Sequence, residues 1–271
     1  YTGIYPVTRL VDFSKFTSVR IGGVHEIFEV NSLEDLSSPH FLGAVVIGGG
    51  NNLLISPNPP KMAMLGKSFD YINLEICDEK ICLEIGAATK SAKFYNFCKQ
   101  NNIANLEFLK NIPGTLGGLI KMNAGLLKFS ISDNLTHVRL ARGWVSKEDI
   151  NFSYRHSGID EAILGAKFKL SSGFDASISE AISAKRANQP KGASFGSCFV
   201  NPEGHFAGAL LEAVGLKGYT IGGAKFSEEH ANFLINFNHA SFEDATSLIN
   251  LARARVLEKF GVELKTEVCI L

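Results

Sequence analysis

The sequence has no excess charge of either sign, because 27 Lys and Arg residues balance 27 Asp and Glu residues. Without a basic field, neither nucleic acid nor an anionic membrane surface is expected as a partner, and any phosphate site must be local. No apolar run approaches the ~20 residues that a membrane span needs. The first residues also lack a basic segment followed by an apolar one. We therefore expect the protein to be located in the cytoplasm. Separately, we expect it to be a monomer.

Cysteine is scarce, and the number of cysteines is odd. The five residues are Cys77, Cys82, Cys98, Cys198 and Cys269, and none forms a Cys-x-x-Cys pair. A disulfide framework and a thiolate zinc site are both disfavoured by this spacing. The seven histidines are scattered, and His230 and His239 lack the i, i+4 spacing of a metal-binding helix face. No metal site is expected.

Apolar residues, by contrast, are plentiful enough for proper cores, at 45% of 271 residues. This length holds two or three modest domains. The Pro-Asn-Pro-Pro run at 57–60 and the Gln-Pro pair at 189–190 interrupt regular structure. We therefore divide the chain into 1–56, 57–188 and 189–271, and the mixture of short strands and helices predicts the α+β class.

Alternation and helical periodicity predict the individual elements. Strands are expected at His25–Val30, Val45–Ile47, Tyr71–Cys77, Lys80–Gly86, Leu135–Trp144, Ala162–Leu170, Ser194–Pro202 and Val262–Val268. Helices are expected after Ser32, from Ser91 to Asn101, over Asp175–Asn188 and over Phe242–Phe260, and Phe16–Gly23 is expected to be extended. A turn at Asp78 and Glu79 would make a hairpin of two of these strands.

The stretch 105–125 combines glycines with apolar residues more densely than any other part of the chain. Pro113 fixes φ and Gly114 frees it, so a sharp turn is predicted there. Gly117, Gly118 and Gly125 would let a ligand approach the backbone. A short helix beginning at Thr115 would offer free first-turn N–H groups to phosphate oxygens. A glycine-rich helix contact is the alternative interpretation.

A second glycine-rich turn, Gly48-Gly49-Gly50, follows the apolar run 44–47. A strand that leads into a glycine loop is one arrangement that binds phosphate. The dinucleotide fingerprint of the Rossmann fold is excluded because position 53 is Leu. A triple glycine by itself is more often an ordinary loop.

Taken together, the blocks Asn-Leu-Glu-Phe-Leu, Ile-Pro-Gly-Thr-Leu-Gly-Gly, Met-Asn-Ala-Gly and Gly-Gly-Gly-Asn-Asn-Leu-Leu resemble the UDP-N-acetylenolpyruvoylglucosamine reductase family. The resemblance covers nearly the whole chain. It implies an FAD-binding domain of the vanillyl-alcohol-oxidase/PCMH type in two parts, 1–56 and 57–188, and a smaller α+β substrate-binding domain over 189–271. It also implies non-covalent FAD, NADPH as reductant, and reduction of UDP-N-acetylglucosamine enolpyruvate to UDP-N-acetylmuramate in peptidoglycan precursor synthesis.

The resemblance also assigns the residues that contact the cofactor. These are Arg20, Gly48, Gly49, Gly50, Asn51, Asn52, Leu53, Ile112, Pro113, Gly114, Thr115, Gly117, Gly118, Asn123, Ala124 and Gly125. Arg20 is either a ligand to the flavin phosphate or a surface charge.

Three further blocks carry the catalytic assignments. Phe-x-Tyr-Arg-x-Ser gives Arg155 a role beside the substrate, although on composition alone this residue would be a member of a surface ion pair. Gly-Ser-x-Phe-x-Asn-Pro makes Ser197 the proton donor, and Leu-x-x-Glu-Val makes Glu267 an essential acid. Strand alternation places Ser197 with Phe199 and turns Cys198 to the opposite face, where it is expected to be a small buried hydrophobe.

Lys217, His230 and Asn232 are candidates to bind the sugar nucleotide, although each could equally stabilise a loop. The short gap between Arg155 and Ser197 lacks the insertion that carries a Tyr loop in the longer form, so the chain resembles the type II form. One alternative function is an FAD oxidoreductase of the same fold that acts on an alcohol or aldehyde. Another is a non-catalytic nucleotide-binding module.

Overall fold

A computed structural model describes residues 7–77, 80–187 and 189–271 of the chain. These residues form two compact units. The first unit contains residues 7–9, 27–49 and 61–187, apart from 78 and 79, and the second contains 10–26, 50–60 and 189–271. The three-part division at 56/57 and 188/189 stays a prediction.

The helices are α1 (Phe13–Phe16), α2 (Ser91–Gln100), α3 (Leu116–Lys121), α4 (Ala176–Arg186), α5 (Ala207–Ala213) and α6 (Phe242–Phe260). The strands are β1 (Thr8–Asp12), β2 (Val24–Val30), β3 (Val45–Ile47), β4 (Leu53–Leu54), β5 (Met62–Leu65), β6 (Ile72–Cys77), β7 (Lys80–Gly86), β8 (Gly125–Leu126), β9 (Phe129–Ser130), β10 (Leu135–Leu140), β11 (Gly143–Ser146), β12 (Gly165–Leu170), β13 (Ala193–Ser197), β14 (Thr220–Ile221), β15 (Ala224–Phe226), β16 (Phe233–Asn236) and β17 (Cys269–Ile270). Single 3-10 turns occur at Glu34–Ser37, Lys67–Phe69, Glu107–Asn111 and Lys147–Asp149.

The first unit is built around an antiparallel sheet with the strand order β11-β10-β12-β7-β6. Its inward side chains, such as Leu83, Ile85 and Phe168, are buried with the apolar faces of α2 and α3. A second sheet has the order β1-β2-β5-β3, in which β5 lies parallel to both β2 and β3. Since β3 ends at Ile47, directly before Gly48, the predicted strand that leads into the glycine loop is confirmed.

The second unit packs α6 against the antiparallel sheet β13-β16-β15-β14. A capping box starts α6, since Ser241 Oγ accepts from the N–H of Asp244 while Asp244 Oδ2 accepts from the N–H of Ser241, both at 3.0 Å. Gly261, with φ of 66°, ends the helix in the left-handed conformation. The predicted limits of α6 are therefore confirmed at both ends.

Several strand predictions are wrong. Leu135–Trp144 is not one strand, because the chain reverses after Leu140 and β11 pairs antiparallel with β10. Val262–Val268 does not form a strand; the terminal strand is β17, which lies parallel to β4. Phe16–Gly23 is not simply extended, since α1 ends at Phe16 and a turn follows.

The β6–β7 hairpin and α2 are confirmed, although the predicted turn at Asp78 and Glu79 lies outside the described residues. In the described part of the chain no helix is both long and apolar enough to cross a membrane. Within the same ranges, no three His, Cys, Asp or Glu side chains cluster as metal ligands would.

Candidate active site

The two glycine-rich turns that the sequence singles out meet in the first unit, at Thr115. A Cβ atom at position 48 would lie 2.5 Å from Thr115 Oγ1, so the approach of the two segments requires glycine there. A Cβ at position 118 would meet only this same Oγ1, at 3.8 Å, which is ordinary contact. The backbone on this side of α3 is therefore bare and approachable at Gly118.

Ser91 holds the turn that precedes α3. Its hydroxyl donates to the carbonyl oxygen of Ile112 at 2.6 Å, and its N–H donates to that of Gly114 at 2.9 Å. Pro113 lies between these two anchored residues, and Gly114 has φ of 133°, a value that L side chains rarely adopt. The sharp turn predicted at Pro113 and Gly114 is confirmed.

The first-turn N–H groups of α3 are not all free, so that prediction is wrong in part. Leu116 donates to Thr89 O and Gly117 to Ala87 O, both at 2.9 Å. A Cβ at Gly117 would lie 3.2 Å from the Cβ of Ala87, so this glycine permits close packing between the helix and the chain that follows β7.

The remaining part of the glycine loop belongs to the second unit and packs on the turn after α1. Gly50 has φ of 73°, and a Cβ there would lie 2.8 Å from the ring of Phe16. Ser18 donates through its N–H to Gly50 O at 3.0 Å and through its hydroxyl to Asn51 O at 3.1 Å. Arg20, with φ of 57°, follows on the same turn and is exposed. Ser18 thus connects Gly50 and Asn51 to the turn that carries Arg20, and all three of these residues were predicted from the sequence.

Asn52 and Leu53 continue this loop into the strand pairing with the chain terminus. Asn52 Nδ2 donates to the carbonyl oxygen of Glu267 at 2.9 Å, and Leu53 lies opposite Cys269 in the β4–β17 ladder. One predicted cofactor residue therefore fixes the backbone of a predicted catalytic residue.

A cavity of about 390 Å³ in the first unit gathers three residues predicted from the sequence. Its lining residues are Asn123, Gly125, Leu126, Leu127, Lys128, Phe129, Ser130, Tyr154 and Arg155. Ala124 lies between two of them, with its N–H and carbonyl bonded to Leu119 and Ile131. The cavity thus lies between the segment after α3 and the turn that carries Arg155.

Arg155 is held by its own backbone and by a neighbouring carbonyl. It occupies a tight turn closed by reciprocal Ser153 and His156 backbone hydrogen bonds of 2.9 and 3.2 Å. Its Nη1 donates to Gly125 O at 3.1 Å, and its guanidinium lies 5.1 Å from the centroid of the Tyr154 ring. The guanidinium is therefore oriented by the fold.

Asn123 presents a buried acceptor at the same cavity. The residue is only 9% exposed, and its Nδ2 donates to Ser153 O at 2.9 Å, which fixes the orientation of the amide. Its Oδ1 is buried and has no hydrogen-bond partner among the described residues. A buried acceptor in this state is suited to a donor from a ligand.

Sequence reasoning missed Arg186, at the end of α4. Burial first, and then the nearby positive charge of Arg155, lower the pKa of Arg186. Arg186 Nη1 donates to the carbonyl oxygen of Asn111. The electrostatic environment of Arg155 thus includes a second guanidinium, contributed by an element that the local sequence pattern does not connect to it.

Ser197 and Glu267 are brought together in the second unit. Ser197 is the last residue of β13, and the Glu267 N–H donates to the carbonyl oxygen of the next residue, Cys198, at 2.8 Å. The strand does not continue to Pro202, so the predicted alternation fails beyond Ser197: Cys198 and Phe199 are both buried. Burial is the largest effect on Cys198 and raises the pKa of its thiol, so its prediction as a small buried hydrophobe is confirmed.

Asn232 is bonded to the backbone next to Ser197. Its Oδ1 accepts from the Phe199 N–H at 3.0 Å, its Nδ2 donates to Phe199 O at 2.8 Å, and its own carbonyl accepts from Cys198 N–H at 2.7 Å. Asn232 therefore holds the chain after Ser197 in place. Its direct contact with substrate stays a prediction.

His230 and Lys217 lie near this anchor. His230 Nδ1 accepts from the Asn232 N–H at 3.2 Å, which leaves Nε2 to carry the proton of the neutral ring. Burial chiefly lowers the pKa of His230, and the charge of Lys217 acts in the same direction, whereas a backbone hydrogen bond opposes them. Lys217 Nζ pairs with Glu212 at 3.0 Å. The three predicted substrate residues are therefore grouped in the second unit.

Comparison with known proteins decides the family. Residues 188–271 match the family model for the C-terminal domain of UDP-N-acetylenolpyruvoylglucosamine reductase. A protein of that name from Campylobacter jejuni strain RM1221 is 49% identical over 265 residues, covering 97% of this chain and 100% of the relative. The chain belongs to the UDP-N-acetylenolpyruvoylglucosamine reductase family. A relative from Helicobacter hepaticus is 46% identical over 264 residues, covering 97% and 99% of the two chains.

A solved UDP-N-acetylenolpyruvylglucosamine reductase, from Thermus caldophilus, has the same fold. It is 26% identical to this chain, with a TM-score of 0.84 and coverage of 98% and 99%. The predicted α+β fold of the vanillyl-alcohol-oxidase/PCMH type with a smaller domain is confirmed, as is the assignment of the chain as an oxidoreductase of this family.

Proposed function

We propose that the chain reduces UDP-N-acetylglucosamine enolpyruvate to UDP-N-acetylmuramate, with NADPH as the electron source and FAD as the bound cofactor. The observation that carries this proposal is full-length similarity, since 49% identity extends over the whole of a relative with that reductase name. Arg155, Ser197 and Glu267 are all present in the blocks predicted to carry the reaction.

The described residues fit FAD on two points. Gly48 approaches Thr115 so closely that an added Cβ would lie 2.5 Å from Oγ1, and the neighbouring backbone at Gly118 is bare, as suits a diphosphate. The buried Oδ1 of Asn123 is an acceptor suited to a ring N–H. FAD, when bound, supplies the hydride that reaches the substrate. The residues proposed to hold it are Arg20, Gly48, Gly49, Gly50, Asn51, Asn52, Leu53, Ile112, Pro113, Gly114, Thr115, Gly117, Gly118, Asn123, Ala124 and Gly125.

Arg155 is proposed to stabilise the negative charge that develops on the substrate. When hydride adds to the terminal alkene carbon of the enolpyruvyl group, electron density moves to the adjacent carbon and its carboxylate. The planar fork of a guanidinium matches a carboxylate, and a donor fixed before the reaction needs no reorganisation. The hydrogen bond from Arg155 to Gly125 O supplies such fixation.

Ser197 is proposed to donate the proton to that adjacent carbon. A serine hydroxyl is a weak acid, but a carbanion is a strong base, so the transfer is favourable when the hydroxyl is held close. The two hydrogen bonds between the Asn232 side chain and the backbone N–H and carbonyl of Phe199 would restrict the chain that follows Ser197. Glu267 can assist only while it carries a proton, because an ionised carboxylate would repel the developing charge. Lys217, His230 and Asn232 are proposed to bind the UDP-sugar.

The test separates the two half-reactions of Ser197→Ala. Flavin reduction by NADPH should proceed at the wild-type rate, because no substrate proton is transferred in that step. Reoxidation by the enolpyruvyl substrate should slow by roughly 10²- to 10⁴-fold, the usual contribution of a positioned acid. Ser247→Ala, at an exposed serine of α6 in the same unit, is the control and should leave both steps near wild type. Equal losses in both half-reactions of Ser197→Ala would indicate a folding defect and contradict the assignment.

A further inference from the structure

The β8–β9 hairpin forms one wall of the cavity that contains Arg155. None of the residues predicted to be catalytic lies on this hairpin. A Cβ at Gly125 would lie 2.4 Å from Phe129 O, so the two strands are held tightly together. The hairpin tip is Leu127 and Lys128, both exposed, and both residues line the cavity. Lys128 Nζ lies 5.5 Å from the centroid of the Phe129 ring. The lysine is therefore presented on a short, well-pinned loop.

The charged side chains that line this cavity are all cationic. It contains the cations Lys128 and Arg155, and none of its lining residues is acidic. In the ranges that the structure describes, no carboxylate lies within ion-pair distance of Lys128 Nζ, whereas Lys121 and Lys93 each pair with an aspartate. A concave surface lined by one sign of charge favours a ligand of the opposite sign.

Asn123 gives an independent indication of a ligand at the same place. Its side chain is more than nine-tenths buried and lines the cavity, and its Oδ1 accepts no hydrogen bond from the described residues. Native proteins rarely leave a buried acceptor unpaired, so a donor from a bound molecule is the natural partner. This acceptor is the one proposed above for a ring N–H of FAD, and the substrate, which takes hydride from that ring, must therefore reach the same cavity.

We propose that Lys128 is a further substrate-binding residue, whose ammonium contacts an oxyanion of the UDP-sugar in the cavity shared with Arg155. This inference rests on the proposed function, since a UDP-sugar with an enolpyruvyl group supplies oxyanions of two kinds, the carboxylate and the diphosphate. Lys128 acts on binding and not on the transfer of hydride or proton. The hairpin therefore sets affinity for the substrate while the reaction itself is left to other groups.

The test compares Lys128→Ala with Lys128→Arg, and uses Lys99→Ala as control, because Lys99 is an exposed lysine on α2 outside the cavity. KM for the enolpyruvyl substrate should rise roughly 10- to 150-fold in Lys128→Ala, the range expected for a lost charge-assisted hydrogen bond. The kcat and the rate of flavin reduction by NADPH should stay within about twofold of wild type. The reason is that the lost contact stabilises the bound substrate and the transition state equally. Lys128→Arg should restore most of the affinity, and Lys99→Ala should resemble wild type.

Calorimetric Kd values for UDP-N-acetylglucosamine, which has the diphosphate but no carboxylate, identify the oxyanion. A parallel loss of affinity in Lys128→Ala assigns the contact to the diphosphate, and an unchanged Kd together with a raised KM assigns it to the carboxylate. Unchanged KM and Kd in Lys128→Ala, with an active wild type, overturn the inference and leave the proposed function standing. A wild type that binds the UDP-sugars without turning them over fails the proposed function alone, and Lys128 is then judged by Kd for both compounds. A wild type that binds neither overturns both.

Discussion

Replacing Gly118 by Ala should affect protein stability and flavin affinity in opposite directions. In the protein without cofactor, the new methyl group would meet only Thr115 Oγ1, at 3.8 Å. Gly118 lies inside α3, where alanine is favoured over glycine by about 0.5–1 kcal/mol. The apoprotein should therefore unfold at a higher temperature, by about 1–4 °C for a chain of this size.

If the flavin diphosphate approaches the bare backbone at Gly118, the same methyl group must displace it. Inserting one methyl group into a close-packed contact commonly costs about 1–3 kcal/mol. Expressed as flavin affinity, this cost corresponds to a rise in Kd of about 5- to 150-fold. The assay is thermal unfolding of the apoprotein together with titration of FAD, followed by the change in flavin fluorescence.

Two matched variants separate this effect from general damage to the helix. Gly117→Ala places its methyl 3.2 Å from the Cβ of Ala87, so it should gain less stability than Gly118→Ala in the apoprotein. Gly48→Ala would clash with Thr115 Oγ1 at 2.5 Å, and adding Thr115→Ala should relieve that clash. Wild-type flavin affinity in a stabilised Gly118→Ala protein would refute the interpretation of these glycines as a phosphate-binding approach.

Two further predictions concern acid stability and thiol reactivity. Backbone hydrogen bonds from Gly223 first, and then from Ser241, lower the pKa of Asp244, so its contribution to stability is present above the unfolded pKa and is lost as pH falls through the folded value. Asp244→Asn should therefore flatten the acid side of the stability profile in urea unfolding, and an unchanged profile would contradict this. Burial raises the pKa of Cys98 to about 12 and also raises that of Cys198, so a thiol reagent at mildly alkaline pH should modify exposed Cys269 in the native protein and reach the other two only after unfolding, as peptide mass mapping would show.

Elements with local start and stop residues could be predicted from the sequence. The limits of α6 follow from Ser241, Asp244 and Gly261, whose hydrogen bonds and backbone conformation are nearly independent of the rest of the fold. The strand prediction for 262–268 was wrong because the alternation of apolar and polar residues there has another cause. Leu264 and Val268 are buried in the core that surrounds α6, whereas the strand-like pairing of this described segment is confined to one isolated bridge at Thr266.

The residue types of the candidate site could be predicted from the sequence. Which of its backbone N–H groups have no hydrogen-bond acceptor could not. The sequence correctly indicated the turn at Gly114, but it carried no sign that Leu116 N–H and Gly117 N–H are taken by the carbonyls of Thr89 and Ala87. Those acceptors are distant in the chain, and their position depends on how β7 ends. Local pattern cannot report which backbone donors a tertiary partner consumes.

Backbone strain gives a separate reason to regard the cavity around Arg155 as functional. Three of the seven non-glycine residues with positive φ in the described chain line it: Asn123 at 40°, Leu127 at 57° and Arg155 at 57°. Asn tolerates this region, but Leu and Arg each lose about 1–2 kcal/mol there. Such conformations persist only where the surroundings enforce them, here through the Ser153–His156 turn and the narrow β8–β9 hairpin. Because that free energy is spent on the backbone at Arg155 and at the hairpin tip, the cavity is formed by the fold before any ligand arrives.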